Sequence, residues 1–160
     1  AYHKQYGLPF VVMRFFNTIG PRQTGQYGMV VPRFVHQALK NEPLEVYGDG
    51  TQSRCFADVA DIVRAILLLM ENEQAIGQVF NIGSTIEINI RGLAERIIHL
   101  TNSHSKIVDI PYEEAYAPGF EDMHRRVPSI EKISRLTNFQ PEFSLDDSLR
   151  RVIAFEISHA

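Results

Sequence analysis

The stretch LEVYGDGTQSRCFADVADI, Leu44 to Ile62, joins an apolar strand-like segment, two close glycines and the start of a helical pattern. This order is typical of loops that bind nucleotide phosphates, in which a glycine-rich turn leads directly into a helix. Here Ser53 stands where a G-x-G-x-x-G motif has its third glycine, and no helical pattern begins before about Val59. The stretch therefore predicts a glycine-rich bend at Gly48-Asp49-Gly50, lying between two short extended segments.

Outward from this bend, strand-like runs alternate with helical patterns. Strands are predicted at Phe10–Phe16, which we expect to be buried, and at Leu44–Tyr47, Gln78–Ile82 and Lys106–Ile110. Helices are predicted after a polar loop over Asn17–Gly28, and then at Val59–Met70, Ile90–Leu100, Ile130–Thr137 and Ser144–His159. Asp58 or Asp61 is expected to cap the second of these helices, and Ser144 with Asp147 the last. The alternation predicts an α/β fold and leaves the sheet topology open.

Composition narrows the range of partners. The 160 residues fit one domain, and a net charge of −3 with 22% charged residues is not the basic balance of a nucleic-acid-binding protein. The single cysteine, Cys55, excludes an internal disulfide and favours a cytoplasmic location. No apolar run approaches the roughly 18 residues of a membrane span. Small molecules and proteins are therefore the expected partners, with neither nucleic acid nor membrane.

Several catalytic chemistries lack their sequence patterns. The six histidines do not have zinc-ligand spacing, so no metal site is expected. A G-x-S-x-G nucleophile motif is absent. Two residues beside the bend are better candidates for ligand binding: Tyr47 is a flat amphipathic ring, and Arg54 carries a planar fork of donors that suits phosphate. Taken alone, they are better explained as an ordinary core tyrosine and a surface charge.

Three linked segments carry a family resemblance. The chain contains RFFNTIGPRQ at 14–23, then VPRFVHQALKNEPLEVYGDGTQSRCFADVADIVRAI at 31–66, and then GQVFNIGS at 77–84. In this order they resemble the later half of the extended short-chain dehydrogenase/reductase family of nucleotide-sugar epimerases, dehydratases and decarboxylases. The resemblance implies the C-terminal part of an extended Rossmann-type, NAD(P)-binding fold, with its substrate-binding subdomain.

The resemblance also implies a two-part enzyme that uses NAD. In this family a tyrosine of a Tyr-x-x-x-Lys motif takes a proton from a sugar hydroxyl while hydride passes to NAD, giving a keto sugar. None of the six tyrosines of this chain has lysine four positions later, so no catalytic residue is assigned here. Since the sequence starts at Ala1, we expect one C-terminal portion of a longer enzyme, inactive alone and without the NAD-binding half.

The family's cofactor and substrate residues are carried over by position. Phe16, Asn17 and Arg22 match residues near the nicotinamide and the phosphates. The expected substrate-binding residues are Asn17, Met29, Val30, Glu45, Val46, Tyr47, Arg54, Asp122 and Arg126. In this set the backbone of Glu45–Tyr47 meets the pyrimidine edge, Arg54 holds the diphosphate, and Asp122 holds the ribose. Gly119 replaces an arginine that many epimerases carry, so Arg125 or Arg126 is expected to supply that charge, unless both are surface residues.

Two functional classes stay open at this level. The first is the nucleotide-sugar-binding part of an NAD-dependent enzyme acting on a UDP- or dTDP-sugar. The second is a non-catalytic module that binds a nucleotide sugar or serves assembly. The strand at Phe10–Phe16 and the helix at Val59–Met70 would pack on the other half of such an enzyme, so we expect their apolar faces to be uncovered and the chain to form homo-oligomers.

Overall fold

The computed structural model describes residues 1–25, 29–115 and 123–159. Within these ranges it contains seven α-helices, nine short strands and one 3₁₀ turn at Glu73–Ala75. In chain order the elements are α1 (Tyr2–Tyr6), β1 (Val12–Phe15), β2 (Thr18–Ile19), α2 (Val30–Leu39), β3 (Leu44–Tyr47), β4 (Ser53–Cys55), β5 (Ala57–Asp58), α3 (Val59–Met70), β6 (Val79–Ile82), β7 (Glu87–Asn89), α4 (Ile90–Thr101), β8 (Ile107–Ile110), α5 (Tyr112–Ala115), β9 (Arg125–Arg126), α6 (Glu131–Thr137) and α7 (Leu145–His159).

Parallel pairing dominates the sheets. Strand β1 pairs with β6, β2 with β5, and β3 with β8, all in parallel. Strand β4 lies between β7, which is antiparallel to it, and β9, which is parallel. Parallel partners need crossover connections, and helices supply these here. The predicted α/β class is therefore confirmed.

Two apolar clusters stabilise the chain. In the first, α2, α4 and α7 pack around β3, with Phe34, Leu44 and Leu93 fully buried. In the second, α3 and α6 pack on β6 around Leu69, Phe80 and Ile133. Burial of each large side chain contributes about 1.5–3 kcal/mol to folding. None of the helices within the described ranges is long and apolar enough to cross a membrane.

The bend at Gly48-Asp49-Gly50 is confirmed, and strand β4 follows it instead of a helix. Gly48 and Gly50 have φ angles of +70° and +73°, a backbone region that glycine adopts without steric cost. Asp49 accepts hydrogen bonds from the Thr51 backbone and hydroxyl, at 2.9 and 2.7 Å. These bonds lower the pKa of the Asp49 carboxyl. The bend thus returns the chain so that β3 and β4 both reach one cavity.

Two sequence expectations about the N-terminal segment are wrong. Strand β1 is shorter than Phe10–Phe16 and is not buried: Val12 is 40% exposed and Phe15 is 51% exposed. The reason is that β1 pairs only with β6 among the described strands. The stretch expected to be loop also contains β2, which forms because it pairs with β5. Residues 26–28 of that stretch lie outside the described ranges.

Candidate functional site

A cavity of about 320 Å³ lies where the first turn of α2 faces the ends of β3, β4 and β9. Its apolar wall is made mainly by the start of α2, with Phe56 and Ile90 beside it. The polar wall comes from side chains on four separate segments. The described lining residues are Asn17, Thr18, Ile19, Gln23, Met29, Val30, Val31, Pro32, Arg33, Tyr47, Gln52, Arg54, Phe56, Ile90 and Arg126.

Two arginines enter the cavity from neighbouring strands. Arg54 of β4 and Arg126 of β9 are register partners in a parallel pair. Side chains at paired positions project to the same side of a sheet, so both reach the same wall. Arg54 is only 8% exposed, and its Nη1 donates to the carbonyls of Ser53 and Met123, each at 2.7 Å. The strand pairing thus sets the guanidinium groups side by side.

Asn17 connects this pair to the end of β1. Its Nδ2 donates to the Cys55 carbonyl at 2.7 Å, and its Oδ1 accepts from Nη2 of Arg126. The Asn17 backbone has a φ of +39°, a positive value that asparagine tolerates better than most residues. Burial raises the pKa of the neighbouring Cys55 thiol, so this cysteine is uncharged at neutral pH. Asn17 therefore positions Arg126 at the cavity wall.

Tyr47 and Arg33 form a layered pair at another part of the lining. The Arg33 guanidinium carbon lies 4.1 Å from the centre of the Tyr47 ring. Nη2 of Arg33 also donates to the Glu45 carbonyl at 2.9 Å. One face of the Tyr47 ring is therefore already covered. A planar ligand group cannot stack directly on that face of Tyr47.

Unpaired polar atoms are concentrated on this lining. Most buried polar groups of native proteins have a hydrogen-bond partner, so a cluster without partners calls for an explanation. Seven buried side-chain atoms in the described ranges have none, and five of the seven belong to lining residues. These five are Thr18 Oγ1, Gln23 Oε1, Arg33 Nε, Gln52 Oε1 and Arg126 Nε. A polar ligand, or water in its place, would satisfy them.

The charge of the lining has one sign. It contains three arginines, Arg33, Arg54 and Arg126, and no aspartate or glutamate among the described residues. This contrasts with the whole chain, whose formal net charge is −3. Guanidinium groups gathered in a partly enclosed site attract anions and form paired hydrogen bonds with phosphate or carboxylate oxygens. The cavity is therefore suited to an anionic ligand.

The structure brings most of the predicted site residues together. Asn17, Met29, Val30, Tyr47, Arg54 and Arg126 all line the cavity. Of the arginines at 125 and 126, it is Arg126 that does so, while Arg125 forms an ion pair with Glu87. Four predicted residues are not on the lining: Phe16, Arg22, Glu45 and Val46. Asp122 lies outside the described residues.

Each of these four residues has a different surrounding. Phe16 is half-buried and its backbone continues the pairing of β1 with β6, while Arg22 is exposed with a φ of +70°. The Val46 side chain is fully buried in the core behind β3. The Glu45 side chain is exposed, but its carbonyl is the acceptor for Arg33. Only the backbone of β3 can therefore serve the role expected of Glu45 and Val46.

Sequence reasoning missed Arg33 and Gln52. Arg33 follows Pro32 in the first turn of a helix, where a polar residue is usually solvated, and Gln52 lies between the bend and β4. The available signal was position: both residues flank segments already predicted to meet the ligand.

Among the described residues no cluster of His, Cys, Asp and Glu is arranged to hold a metal ion.

Parallel strand pairs, crossover helices and a cavity at strand ends place the chain in the Rossmann-type α/β class. A family model described as the NAD dependent epimerase/dehydratase family matches residues 1–83. The chain belongs to that family.

Curated relatives are decarboxylases of UDP-sugar acids. The chain is 43% identical over 148 residues to the UDP-N-acetyl-alpha-D-glucosaminuronate decarboxylase of Bacillus cytotoxicus, a match that covers 92% of this chain and 46% of that protein. It is 35% identical over 154 residues to UDP-glucuronic acid decarboxylase 1 of Arabidopsis thaliana, covering 96% of this chain and 33% of the relative. The chain thus spans less than half the length of either relative.

Solved epimerase structures have the same fold. UDP-glucuronic acid 4-epimerase from Bacillus cereus, in complex with UDP-glucuronic acid and NAD, superposes with a TM-score of 0.88 at 28% identity, over 99% of this chain and 48% of that one. UDP-glucose 4-epimerase from Thermotoga maritima, with UDP-glucose, gives a TM-score of 0.88 at 29% identity, over 99% and 49%. The Rossmann-type prediction is confirmed by these likenesses.

Proposed function

We propose that this chain forms the nucleotide-sugar-binding part of an NAD-dependent enzyme that converts a UDP- or dTDP-sugar through a keto-sugar intermediate. One observation carries the proposal. A single cavity collects three arginines, an aromatic ring and five unpaired polar atoms, and its described lining contains no carboxylate. A nucleoside diphosphate matches this lining because it combines concentrated negative charge with a flat, polar-edged base.

In this proposal Arg54 and Arg126 bind the diphosphate. Their paired positions on β4 and β9 allow two guanidinium groups to face adjacent phosphate groups. Each such charge-assisted hydrogen bond contributes about 1.5–3 kcal/mol. Asn17 orients Arg126 by accepting one of its N–H bonds, which leaves the buried Nε of Arg126 as a donor for the ligand.

The base and the sugar are proposed to bind to the rest of the cavity lining. Met29 and Val30, at the start of α2, supply apolar contact, and Tyr47 supplies aromatic surface for the base. Stacking of a base on such a surface contributes about 1–3 kcal/mol. Asp122, which the family resemblance assigns to the ribose, remains part of the proposal.

NAD fits this chain only in part. Phe16 and Asn17 lie at the carboxyl end of β1, the edge where parallel sheets bind ligands. No glycine-rich loop within the described ranges leads directly into a helix, so these residues offer no cradle for the NAD pyrophosphate. When bound, NAD would accept hydride from the sugar. In the proposal it is held mainly by protein outside these 160 residues, and Phe16, Asn17 and Arg22 approach only its nicotinamide and phosphate end.

The second candidate is a non-catalytic module that binds a nucleotide sugar or serves assembly. The observation that favours it is the absence of a Tyr-x-x-x-Lys motif from the sequence. An enzyme part and a binding module share the same ligand, so binding separates these two from a module that only serves assembly, and activity then separates the enzyme part from the binding module. For either one we propose a cytoplasmic homo-oligomer, on the grounds of a single buried cysteine and an uncovered apolar surface.

The test is calorimetric titration of the chain with UDP and with dTDP. We expect binding of at least one of them, weakened about tenfold or more in Arg126→Ala and in Arg54→Ala, since each variant loses a charge-assisted contact. The matched control is Arg125→Ala, which removes the neighbouring arginine of the same strand, a residue that pairs with Glu87 instead of lining the cavity.

Two outcomes would refute the site. One is that the unmodified chain binds neither nucleotide. The other is an equal loss in Arg125→Ala and Arg126→Ala, which would show attraction by overall charge instead of a built pocket. Circular dichroism and thermal melting of each variant establish that it is folded. Because NAD is proposed to be held mainly outside these 160 residues, activity on UDP-glucuronic acid with added NAD is measured on the chain joined to the N-terminal half of a relative, and it separates part of an enzyme from a binding module.

A further inference from the structure

Arg33 has an unusual combination of contacts for a residue in the first turn of a helix. Its Nη2 is held by the Glu45 carbonyl at 2.9 Å, and its guanidinium carbon lies 4.1 Å from the centre of the Tyr47 ring. Its Nε is buried and has no partner among the described residues. The side chain is thus fixed at one end, and it presents an unused donor at the cavity lining.

Gln52 is the complementary case. It is only 7% exposed, and its Nε2 donates to the Tyr47 carbonyl at 3.1 Å. A carbonyl can only accept, so the amide must direct its NH₂ group at Tyr47 and its oxygen away from that group. This oxygen, Oε1, is buried and has no partner within the described ranges. Gln52 therefore presents an unused acceptor on the same lining.

Both side chains are attached to the same edge of β3. On its other edge β3 pairs with β8, where the backbone N–H groups of Leu44 and Gly48 donate to Lys106 and Ile110. Alternate residues of a strand direct their backbone groups to opposite edges, so the Glu45 and Tyr47 carbonyls both face away from β8. Arg33 donates to the Glu45 carbonyl, and Gln52 donates to the Tyr47 carbonyl. A fixed donor and a fixed acceptor thus lie at one end of the cavity.

We propose that Arg33 and Gln52 are specificity-determining residues that together recognise the hydrogen-bonding edge of the base: Arg33 Nε donates to a ring carbonyl oxygen, and Gln52 Oε1 accepts from the adjacent ring N–H. Such a carbonyl beside an N–H is found in uracil and in thymine. The inference rests on the proposed function, because it concerns the base end of the same cavity. A base that satisfies both groups removes two unfilled hydrogen-bonding positions at once.

The experiment compares three probes by calorimetry: UDP, UDP methylated at ring nitrogen N3, and inorganic pyrophosphate. The methyl group removes the ring N–H and keeps both carbonyl oxygens. We expect the unmodified chain to bind UDP about tenfold more tightly than the methylated probe. In Gln52→Met this ratio should fall to about one, because the acceptor is gone.

Arg33→Met tests the donor. It should weaken UDP about tenfold and leave pyrophosphate unchanged, since Arg33 contacts the base and not the phosphates. Lys40→Met is the matched control: it removes one positive charge from the exposed C-terminal end of the same helix and should change neither probe. Equal weakening of UDP and pyrophosphate in Arg33→Met would overturn the assignment, because it would show a general effect of charge.

The comparison of UDP with the methylated probe on the unmodified chain also tests the proposal, whether or not the Arg33 and Gln52 variants fold. If it binds UDP and the methylated probe equally, and Arg126→Ala still weakens UDP, base recognition by these residues is wrong while the proposed function stands. If it binds none of the three probes, both proposals fail together. A ratio that survives in Gln52→Met equally contradicts the role given to Gln52.

Discussion

At the scale of single residues, neighbouring arginines take different roles because of strand geometry. Successive side chains of a strand point to opposite faces. In β9 this turns Arg126 to the cavity and Arg125 to Glu87, with which it forms two hydrogen bonds at 2.6 and 3.0 Å. The bonds from Arg125 lower the pKa of the Glu87 carboxyl. The chain thus contains its own matched control for the role of Arg126.

The bend that brings β3 and β4 to the cavity depends on glycine. A Cβ atom on Gly50 would lie 2.7 Å from Val46 Cγ1 and 3.2 Å from the Arg91 backbone nitrogen, in addition to the strain of its φ of +73°. We expect Gly50→Ala to lower the free energy of unfolding by about 2–4 kcal/mol, measured by urea denaturation. Gly7→Ala is the control, because Gly7 has a φ of +67° but no atom within 4 Å of the added Cβ.

That control separates backbone strain from steric overlap. Gly7→Ala should cost about 1 kcal/mol, from strain alone. If the two variants unfold at the same urea concentration, the packing of Gly50 against Val46 and Arg91 has no energetic effect, and this explanation of the bend is wrong.

At the scale of elements, the C-terminal helix α7 is held at its start. Ser144 and Asp147 form the predicted reciprocal cap: the Ser144 backbone donates to Asp147 at 3.0 Å, and the Asp147 backbone donates to the Ser144 hydroxyl at 3.2 Å. Hydrogen bonds from the Ser144 hydroxyl and from the Ser144 backbone N–H lower the pKa of the Asp147 carboxyl. Beside it, Asp146 accepts from Arg96 of α4 at 2.6 Å through Nε, with a second bond from Nη2. The helix start is thus joined to the first apolar cluster.

The Asp146–Arg96 pair predicts a pH dependence of stability. Hydrogen bonding to Arg96 lowers the pKa of Asp146 below its ordinary value of 3.8, so the folded state binds its proton less readily than the unfolded state does. The stabilisation is therefore complete above pH 3.8 and is lost as the pH falls through the lowered pKa. We expect Arg96→Ala to lower the urea midpoint at about pH 7, and to lower it less at about pH 2.

A more exposed ion pair on another helix gives the comparison for this pH dependence. Arg135 and Glu131 of α6 form an ion pair in which both side chains are largely exposed, so Arg135→Ala should have the smaller effect at either pH. An Arg96→Ala deficit that persists undiminished in acid would show that Arg96 stabilises the chain by packing and not through its ion pair.

Element prediction succeeded where the pattern was local. Strand β3 at Leu44–Tyr47 and helix α3 at Val59–Met70 have the predicted bounds, because apolar periodicity and the Asp58 cap are encoded within each segment. Strands β2, β5, β7 and β9 have two or three residues each and form through partners distant in the chain. Tyr47 and Arg54 could be predicted as site residues because they lie beside the bend in the sequence. The burial of Gln52 depends on contacts with distant parts of the chain, which no local pattern encodes.

At the scale of the whole molecule, the two apolar clusters leave apolar side chains of β1 and α3 uncovered. We define the uncovered surface as the exposed ones: Val12 and Phe15, on opposite faces of β1, with Val63, Leu67 and Met70 of α3. They are between 40% and 71% exposed, which confirms the expectation that these apolar faces lack cover. Parallel sheets are almost always covered on both faces, so a two-stranded parallel pair with an open face is unusual in a stably folded protein.

The uncovered surface predicts self-association of the chain. Several exposed apolar side chains on two neighbouring elements of one apolar cluster favour a partner, and in solution the nearest partner is a second copy. We expect analytical ultracentrifugation to show mass increasing with concentration, and Leu67→Gln with Met70→Gln to shift the chain towards monomer. Both residues are more than half exposed, so the double variant should remain folded.

The matched control is Ile86→Gln with Ile157→Gln, which removes two apolar side chains that are 72% and 61% exposed but belong to other segments. A monomer at every concentration, or equal dissociation in both double variants, would show that this surface does not drive assembly.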